Sequence, residues 1–441
     1  MTAAQAQTRA AVGDRGPTAA RSRAPGLQQC LERKRRELAL LNGCLSTPVV
    51  SLRADSVEAA VELKLRLAAL LKADRLLERW TITETARPPG QWVRAEPFAF
   101  CYGYQRADLE VDGPSIYPFL QRLCPGCSAS TLYTTSGMSA IATLIAATLQ
   151  CNECIDIDAP RDCYSETREL FRTFHSRLRA ATGSEPRSLA RRAGSARLLW
   201  LDSSMRSGYD CALAAIEPGI DLVVLDTTCF WRSSVKIRRA VRAASRSNVP
   251  IALVRSHGKL DCFGIEYGRL GSVVLIAPPA ARSRIGTLSA RMCDMVRLLG
   301  SAPVLAHFPP FESIDGYHAC SALRTASIMR STRRIVRGIA AGWPPARLVT
   351  FQHALYLAIP ARGDSALNEV RTAAGELATE LAAHGLPVRH AGSFGFDFVA
   401  VEAWCDPDGR SALRVSGGDI APELGEEIGR RIAAWLRGRR W

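Results

Sequence analysis

Short apolar runs alternate with longer amphipathic stretches through the middle of the chain. The apolar runs predict strands at residues 155–157, 197–201, 221–225, 250–254 and 272–276. The amphipathic stretches predict helices at residues 165–180, 209–216 and 233–247. Because strands that alternate with helices are typical of parallel sheets, this pattern predicts an α/β fold with a mostly parallel sheet and helices on both faces.

The same pattern divides the rest of the chain into further regions. Residues 1–28 are rich in Ala, Arg and Gly and predict a disordered tail, whereas residues 29–95 predict a helical segment with a surface helix at 31–41. We expect the large domain to span residues 96–300. From 301 to 441, prolines, long helices and two strand-like runs indicate a smaller α+β C-terminal domain.

A strand, a turn and a buried helix are predicted within residues 131–150. The turn contains Ser136 and Gly137, and the helix after it is apolar nearly all round. Such a helix is expected to be buried. Its N-terminus presents free amide groups just after the turn, and this arrangement binds anions such as phosphate.

Composition and charge narrow the class of protein. Of the 441 residues, 47% are hydrophobic, which is enough for a large core. No apolar run approaches the roughly 18 residues of a membrane span, and residues 1–28 contain no apolar segment of the secretory type. We therefore expect a cytoplasmic protein without membrane association. The net charge is +15, but the arginines are scattered rather than clustered, so we expect no nucleic-acid partner.

The 14 cysteines suit reduced thiols in a cytoplasmic protein. Two Cys-x-x-Cys pairs, Cys124 with Cys127 and Cys151 with Cys154, are similar to a zinc-ribbon pattern. The segment between the pairs is long for a zinc ribbon and contains the predicted buried helix. Ordinary buried thiols are therefore the preferred interpretation, and no metal site is predicted.

One lysine stands at the end of a predicted strand in a chain that contains only five lysines. Lys259 follows the apolar run 251–254 and a short polar turn. A partly desolvated lysine can lose its proton and attack a carbonyl group, which arginine cannot do. One interpretation is a lysine that forms a Schiff base with pyridoxal 5′-phosphate (PLP). The alternative is a lysine whose charge extends to solvent from the end of a strand.

Several polar residues follow neighbouring predicted strands and would meet Lys259 in one crevice. Asp226 could pair with a pyridine nitrogen, although a strand-end aspartate also serves as a turn cap. Tyr164 could stack on the ring, although an ordinary core tyrosine would look the same. The remaining candidates would bind the phosphate, and they are Ser136, Gly137, Met138 and Ser256.

Six short motifs, in the same order, resemble the Cys/Met-metabolism PLP enzymes. This family contains cystathionine γ-synthase, cystathionine γ-lyase and methionine γ-lyase, and it has the aspartate-aminotransferase fold, fold type I. The resemblance covers about residues 100–420. The motifs are Tyr104-Gln105-Arg106, Ser136-Gly137-Met138, Tyr164-Ser165-Glu166-Thr167, Asp226-Thr227-Thr228, Ser256-His257-Gly258-Lys259 and Leu413-Arg414-Val415-Ser416.

The resemblance implies further roles for residues of these motifs. Lys259 would carry the cofactor and move the substrate's Cα proton. Arg414 would hold the substrate carboxylate, with Ser393 beside it. Tyr104 and Arg106 would reach the cofactor of a neighbouring subunit, so the resemblance implies a homodimer or a homotetramer.

Some residues depart from the family pattern. Gly258 replaces a phosphate-binding threonine, and Ser165-Glu166 replaces two glycines. The segment 264–271 is more similar to aminotransferases, in which Arg269 would bind phosphate. We expect a divergent, biosynthetic lyase or transferase that eliminates or replaces a β- or γ-substituent of an amino acid. The alternatives are an aminotransferase and a non-catalytic protein of the same fold with a binding role.

Overall fold

A computed structural model of the chain describes residues 25–83, 92–95, 97–102, 109–113, 116–117, 119–183, 192–363, 365–439 and 441. Residues 1–24 of the predicted tail lie outside these ranges. Two long helices, α1 (Pro25–Gly43) and α2 (Val57–Thr83), pack against each other at the start of the described part. A small antiparallel sheet follows, with its strands in the order β1 (Trp92–Ala95), β2 (Phe98–Tyr102) and β3 (Leu109–Asp112).

A seven-stranded sheet forms the centre of the larger domain. Its strands are β4 (Ser128–Thr134), β5 (Cys154–Pro160), β6 (Leu178–Gly183), β7 (Ser195–Asp202), β8 (Leu222–Asp226), β9 (Ile251–Ser256) and β10 (Gly271–Ala277). The order across the sheet is β4-β10-β9-β8-β7-β5-β6. One strand, β10, runs in the direction opposite to the other six. The prediction of a mostly parallel sheet is confirmed.

Helices cover both faces of this sheet because its strands are apolar on both sides. The helices are α3 (Leu120–Leu123), α4 (Gly137–Cys151), α5 (Ser165–Thr173), α6 (Tyr209–Ala214), α7 (Val235–Arg246) and α8 (Arg282–Leu298). Helices α4, α5 and α8 pack in the core that contains Val224. Helices α3, α6 and α7 pack in the core that contains Val223 and Leu225. Neighbouring residues of β8 therefore serve opposite cores, as the period of a strand requires.

The smaller C-terminal domain has its own sheet and core. It contains α9 (Tyr317–Ala340), β11 (Val349–Thr350), β12 (Tyr356–Pro360), α10 (Leu367–Ala383), β13 (Val388–His390), β14 (Val399–Cys405), β15 (Ser411–Ser416) and α11 (Pro422–Gly438). The strand order is β11-β12-β15-β14-β13, and helices α9, α10 and α11 share one apolar core with this sheet. The predicted α+β character of this region is confirmed.

The helix predicted at residues 165–180 is shorter in the structure. Helix α5 ends at Thr173, and residues 178–183 form the edge strand β6 beside β5. Arg177 separates the two elements and donates hydrogen bonds to three backbone carbonyls, those of Leu149, Asn152 and Glu153. A contact between distant segments therefore ends the helix, and the local apolar pattern could not reveal it.

The helix predicted at 31–41 lies within α1 and has an exposed face, but the burial of charged residues on its other face was not predicted. Lys34 and Glu37 of this helix are fully buried in a group of charged side chains that we call the N-terminal charge cluster. Its members are Lys34, Glu37, Lys64, Arg324, Asp397 and Asp419. The cluster joins α1, α2, α9 and two loops of the smaller domain.

Opposite charges face one another inside this cluster, and their attraction offsets the cost of removing them from water. Burial raises the pKa of Asp397, but Arg324 and the lysines outweigh burial and hold that pKa well below its usual range. Among the described residues, Glu37, Asp397 and Asp419 form the one carboxylate group close enough for a metal ion. The ammonium groups of Lys34 and Lys64 already contact these carboxylates. The cluster is therefore an internal salt network.

In the described part of the chain, the cysteines form no disulfide bond and belong to no group of three ligand atoms that could hold a metal ion. All 14 are free thiols. The zinc-ribbon alternative is not supported, because the four cysteines of the two pairs do not place three ligand atoms within reach of one ion. No helix among the described residues has the length and apolar character needed to cross a membrane.

Replacement of Lys34 by methionine tests the role of the charge cluster in stability. The change leaves Asp397 and Asp419 short of a cation in a buried place, so we expect the free energy of unfolding to fall by about 3–5 kcal/mol. Urea denaturation followed by circular dichroism measures the loss. The matched control is Arg36→Met on the same helix, where an exposed pair with Glu32 should contribute less than about 0.5 kcal/mol. Equal losses in the two variants would contradict the assignment.

Candidate functional site

A cavity of about 500 Å³ lies at the carboxyl ends of β7, β8 and β9, beside the start of α4 and one edge of the smaller domain. Nine of the eleven residues predicted for the site line this cavity. They are Ser136, Gly137, Met138, Tyr164, Asp226, Ser256, Lys259, Ser393 and Arg414. The other two, Tyr104 and Arg106, lie outside the described residues. The cavity is therefore the candidate active site, and the role of each side chain stays a prediction.

Lys259 projects from the turn after β9 toward the smaller domain. Its Nζ donates a hydrogen bond to the Ser393 hydroxyl at 2.6 Å. The backbone of Lys259 is approached closely from the same side, because a Cβ added to Gly395 would lie 2.8 Å from the Lys259 carbonyl oxygen. Gly395 also has a φ of 97°. Glycine is the residue that allows both the left-handed conformation and this approach.

A buried ion pair fixes the turn that carries Lys259. Arg255 donates from Nε and Nη2 to the two carboxylate oxygens of Asp261, at 2.6 and 2.7 Å. Arg255 also donates to the backbone carbonyls of Thr227 and Phe230, at 2.8 Å each. Because these carbonyls lie just after β8, the guanidinium ties the Lys259 turn to the end of the strand that carries Asp226. Sequence reasoning missed Arg255 and Asp261, although both flank the predicted lysine.

The start of α4 packs closely against the end of β9. The Ser136 hydroxyl caps the helix and accepts from the Ser139 amide at 3.0 Å. A Cβ added to Gly137 would lie 2.9 Å from the Ser256 Cβ, so the helix terminus and the strand end meet closely. Free amides and nearby hydroxyl groups at such a terminus bind a phosphate-sized anion. The predicted phosphate-binding residues are thus brought together.

Two carboxylates face each other at the ends of β7 and β8, where Asp202 and Asp226 are register partners. Asp202 accepts from the amides of Tyr164 at 2.9 Å and Ser204 at 2.7 Å, and Asp226 accepts from the Thr228 amide at 2.8 Å. Burial raises the pKa of Asp202 to about 7, and the neighbouring Asp226 adds to the shift. Burial also raises the pKa of Asp226. The pair is suited to meet a positive group in the cavity.

Tyr164 precedes helix α5, and its ring lines the cavity while its amide is fixed by Asp202. Burial raises the pKa of its phenol, and the nearby Glu166 raises it further. The phenol is therefore neutral at physiological pH. Arg269 is exposed and is not among the residues that line the cavity, so the described geometry gives no support to its expected phosphate contact.

Glu402 is the main site residue that sequence reasoning did not find. It is the register partner of Arg414 across β14 and β15, and its Oε1 accepts from Arg414 Nε at 2.7 Å and from Nη2. The same oxygen accepts from the Ser393 amide at 3.1 Å. Ser393 has a φ of 96°, which is unusual for a residue with a side chain, and these contacts hold it there. The Arg414 guanidinium also lies over the Tyr356 ring, 5.0 Å from its centroid.

No family model matches the chain, and no curated protein matches it. Solved structures do resemble its fold. A methionine gamma lyase from Micromonospora echinospora is 18% identical, with a TM-score of 0.51, over 80% of this chain and 92% of that chain. The metB protein from Corynebacterium glutamicum is 13% identical, with a TM-score of 0.51, over 79% and 91%.

A third similar structure is a serine palmitoyltransferase variant from S. paucimobilis, described with a bound PLP–myriocin aldimine. It is 14% identical, with a TM-score of 0.50, over 73% of this chain and 76% of that chain. At these identities the similarities establish the fold. The fold type I architecture expected from the sequence is therefore confirmed.

Substitution of Asp202 by asparagine tests the carboxylate pair in protein free of small-molecule ligands. A carboxyl group whose pKa is raised by folding stabilises the folded state at low pH and loses that contribution as pH rises from the unfolded value toward about 7. Asparagine does not ionise, so the stability of the variant relative to wild type should improve by about 2 kcal/mol between pH 5 and pH 8. Urea denaturation at both pH values measures this change.

The control for this experiment is Asp210→Asn, because Asp210 is an exposed carboxylate paired with Arg239. Its relative stability should change little between the two pH values. A pH dependence of Asp202→Asn that matches the control would show that Asp202 is ionised at low pH in the folded protein. The raised pKa of Asp202 in the folded protein would then be refuted.

Proposed function

We propose that the chain is a PLP-dependent enzyme of the Cys/Met-metabolism type that eliminates or replaces a β- or γ-substituent of an amino-acid-type substrate. The observation that carries the proposal is one cavity that contains the Lys259 amine, the Asp226 carboxylate and the amide-rich terminus at Gly137. A solved structure with the same fold is described with bound PLP. Three groups with the required chemistry therefore meet where this fold admits a cofactor.

The residues present fit the cofactor. The phosphate suits the cradle at Gly137 and Ser256, where a side chain on residue 137 would fill the space. The aldehyde carbon requires an amine, which Lys259 provides from the other side of the cavity. When bound, PLP supplies an electron sink for negative charge at the substrate carbon that bears the amino group. Tyr164 lines the same cavity, and its neutral phenol would suit stacking on the cofactor ring.

Each polar side chain would have one task. Lys259 would hold the cofactor through Nζ and later accept and return the proton of the substrate carbon. Ser393 would orient the lysine amine, because its hydroxyl already accepts from Nζ at 2.6 Å. Asp226 would keep a proton on the pyridine nitrogen, and the positive charge there would favour the ionised form of this buried carboxylate. Asp202 would fix the backbone of Tyr164.

An aminotransferase is the second candidate, favoured by the sequence of residues 264–271. Incubation of the purified protein with an amino acid alone separates the two reactions. Release of ammonia and of a leaving group supports elimination. Accumulation of the amino form of the cofactor with an oxo-acid product supports transfer.

We also infer a cytoplasmic homodimer or homotetramer, with Tyr104 and Arg106 reaching the cavity of a neighbouring subunit. The support is the family resemblance around residues 104–106, together with the 14 free thiols, which suit a reducing compartment. The Tyr104→Phe protein mixed with an inactive Lys259→Ala protein would test the sharing. Sedimentation verifies that mixed oligomers form, and an activity assay is then run on them. Recovered activity in the mixed oligomers supports sites built from two subunits.

Replacement of Lys259 by alanine tests the assignment of the lysine. Without the amine the protein cannot hold PLP covalently, so borohydride should fix no cofactor and turnover should fall by about 10³-fold or more. Absorbance spectra before and after borohydride, with peptide mapping of the adduct, measure the first effect. The control is Lys236→Ala, since Lys236 lies outside the cavity and contacts Gln352. Adduct formation in the Lys259 variant would refute the assignment.

Replacement of Gly137 by alanine tests the phosphate cradle separately from the lysine. The new methyl group would lie 2.9 Å from the Ser256 Cβ and close the space for the phosphate. We expect the dissociation constant for PLP to rise by about tenfold or more, equivalent to about 1.4 kcal/mol, while Lys259 stays intact. Fluorescence titration with PLP measures the change. The control is Gly286→Ala on α8, where a Cβ meets nothing within 4 Å; unchanged affinity in the Gly137 variant would remove the cradle from the proposal.

A further inference from the structure

Glu402 already accepts hydrogen bonds from residues that, by the family resemblance, would hold a substrate carboxylate. The resemblance gives that task to the Arg414 guanidinium, with Ser393 beside it. In the structure, one oxygen of Glu402 accepts from Arg414 Nε and Nη2 and from the Ser393 amide. The protein's own carboxylate thus stands where a substrate carboxylate is expected.

The position of Glu402 is fixed by the sheet. Glu402 and Arg414 are direct cross-strand partners, so no loop movement is needed to bring them together. Their side chains are largely buried, with exposed fractions of 19% and 12%. The Tyr356 ring supports the guanidinium from one side. A tethered, preorganised carboxylate competes with a free one at high effective concentration.

A substrate carboxylate would gain little by displacing Glu402. The exchange replaces one carboxylate on the guanidinium by another, and it leaves Glu402 buried without its cation. An unpaired buried charge is strongly unfavourable. If Glu402 stays, the incoming carboxylate meets a guanidinium whose charge is already compensated.

The lining of the cavity offers a substrate carboxylate few other cations. Five described lining residues carry carboxyl groups, namely Glu166, Asp202, Asp226, Glu266 and Glu402. The described lining residues with basic side chains are Lys259 and Arg414.

We propose that Glu402 is a specificity-determining residue that directs the site toward amino compounds without a free α-carboxylate. This class comprises simple amines and amino acids whose carboxyl group is masked as an amide. The inference rests on the proposed function, because the amino group would be the part that reacts at the cofactor. It departs from the resemblance at one point, the expected task of Arg414. Loss of the proton next to the amino group stays possible in an amide, so the proposed elimination chemistry needs no change.

Three probes of equal chain length test the proposal in PLP-loaded protein. They are L-norleucine, L-norleucinamide and n-pentylamine, which differ only at the carboxyl position. Calorimetric titration and the absorbance of the cofactor measure their dissociation constants. We expect wild-type protein to bind norleucinamide about tenfold or more tightly than norleucine. Equal affinities, or tighter binding of norleucine, would overturn the proposal.

The variant Glu402→Gln assigns the selectivity to the side chain. Glutamine keeps the size and can accept from the Ser393 amide, but it releases the charge of Arg414. Norleucine should then bind about tenfold more tightly than to wild type, while pentylamine changes little. The matched control is Glu426→Gln, because Glu426 pairs with Arg337 on the surface at 3.3 Å. An unchanged norleucine affinity in Glu402→Gln would overturn the role of Glu402.

The same titrations with cofactor-free protein separate the two proposals. If the protein fails to take up PLP but still prefers norleucinamide to norleucine, the proposed function fails and the role of Glu402 stands. If PLP binds through Lys259 and the protein binds norleucinamide and norleucine equally well, the role of Glu402 fails and the proposed function stands.

Discussion

The buried ion pair between Arg255 and Asp261 is the interaction on which the candidate site depends. It closes the turn after β9 and ties that turn to backbone carbonyls after β8. Both side chains are fully or almost fully buried, so neither can reach water if the pair is broken. The distance between the Lys259 turn and the Asp226 strand end is therefore set by a charged contact inside the protein rather than by loop conformation.

The N-terminal charge cluster extends this constraint to the smaller domain. Arg324 contacts Asp397 and also donates to the Gly395 carbonyl at 2.7 Å. Gly395 in turn packs against the backbone of Lys259, and the Ser393 hydroxyl accepts a hydrogen bond from the Lys259 side chain. Helices α1 and α2, which supply Lys34 and Lys64, thus support the loop that faces the reactive amine. A segment that looked peripheral in the sequence is part of the framework of the site.

The sequence predicted what local patterns encode. The alternation of apolar runs predicted the parallel sheet, and short motifs in order predicted eight of the nine site residues that line one cavity. It did not reveal Glu402, because the register between β14 and β15 depends on pairing across the smaller sheet. It misjudged Lys34, because a buried ion network and an exposed helix face carry the same residue types. Residues whose partners are distant in the chain were the ones missed.

The two ends of the cavity are built by different parts of the molecule, and this separates two kinds of chemistry. The larger domain supplies Lys259, Asp226 and the helix terminus at Gly137, which under the proposed function would meet an aldehyde, a ring nitrogen and a phosphate. The smaller sheet supplies Arg414 and Glu402, which line the same cavity. A substitution in one strand of that sheet can change which molecules bind in the cavity without moving Lys259. The ion pair across β14 and β15 belongs wholly to the smaller sheet, so it compensates the charge of Arg414 while it leaves the Lys259 end of the cavity intact.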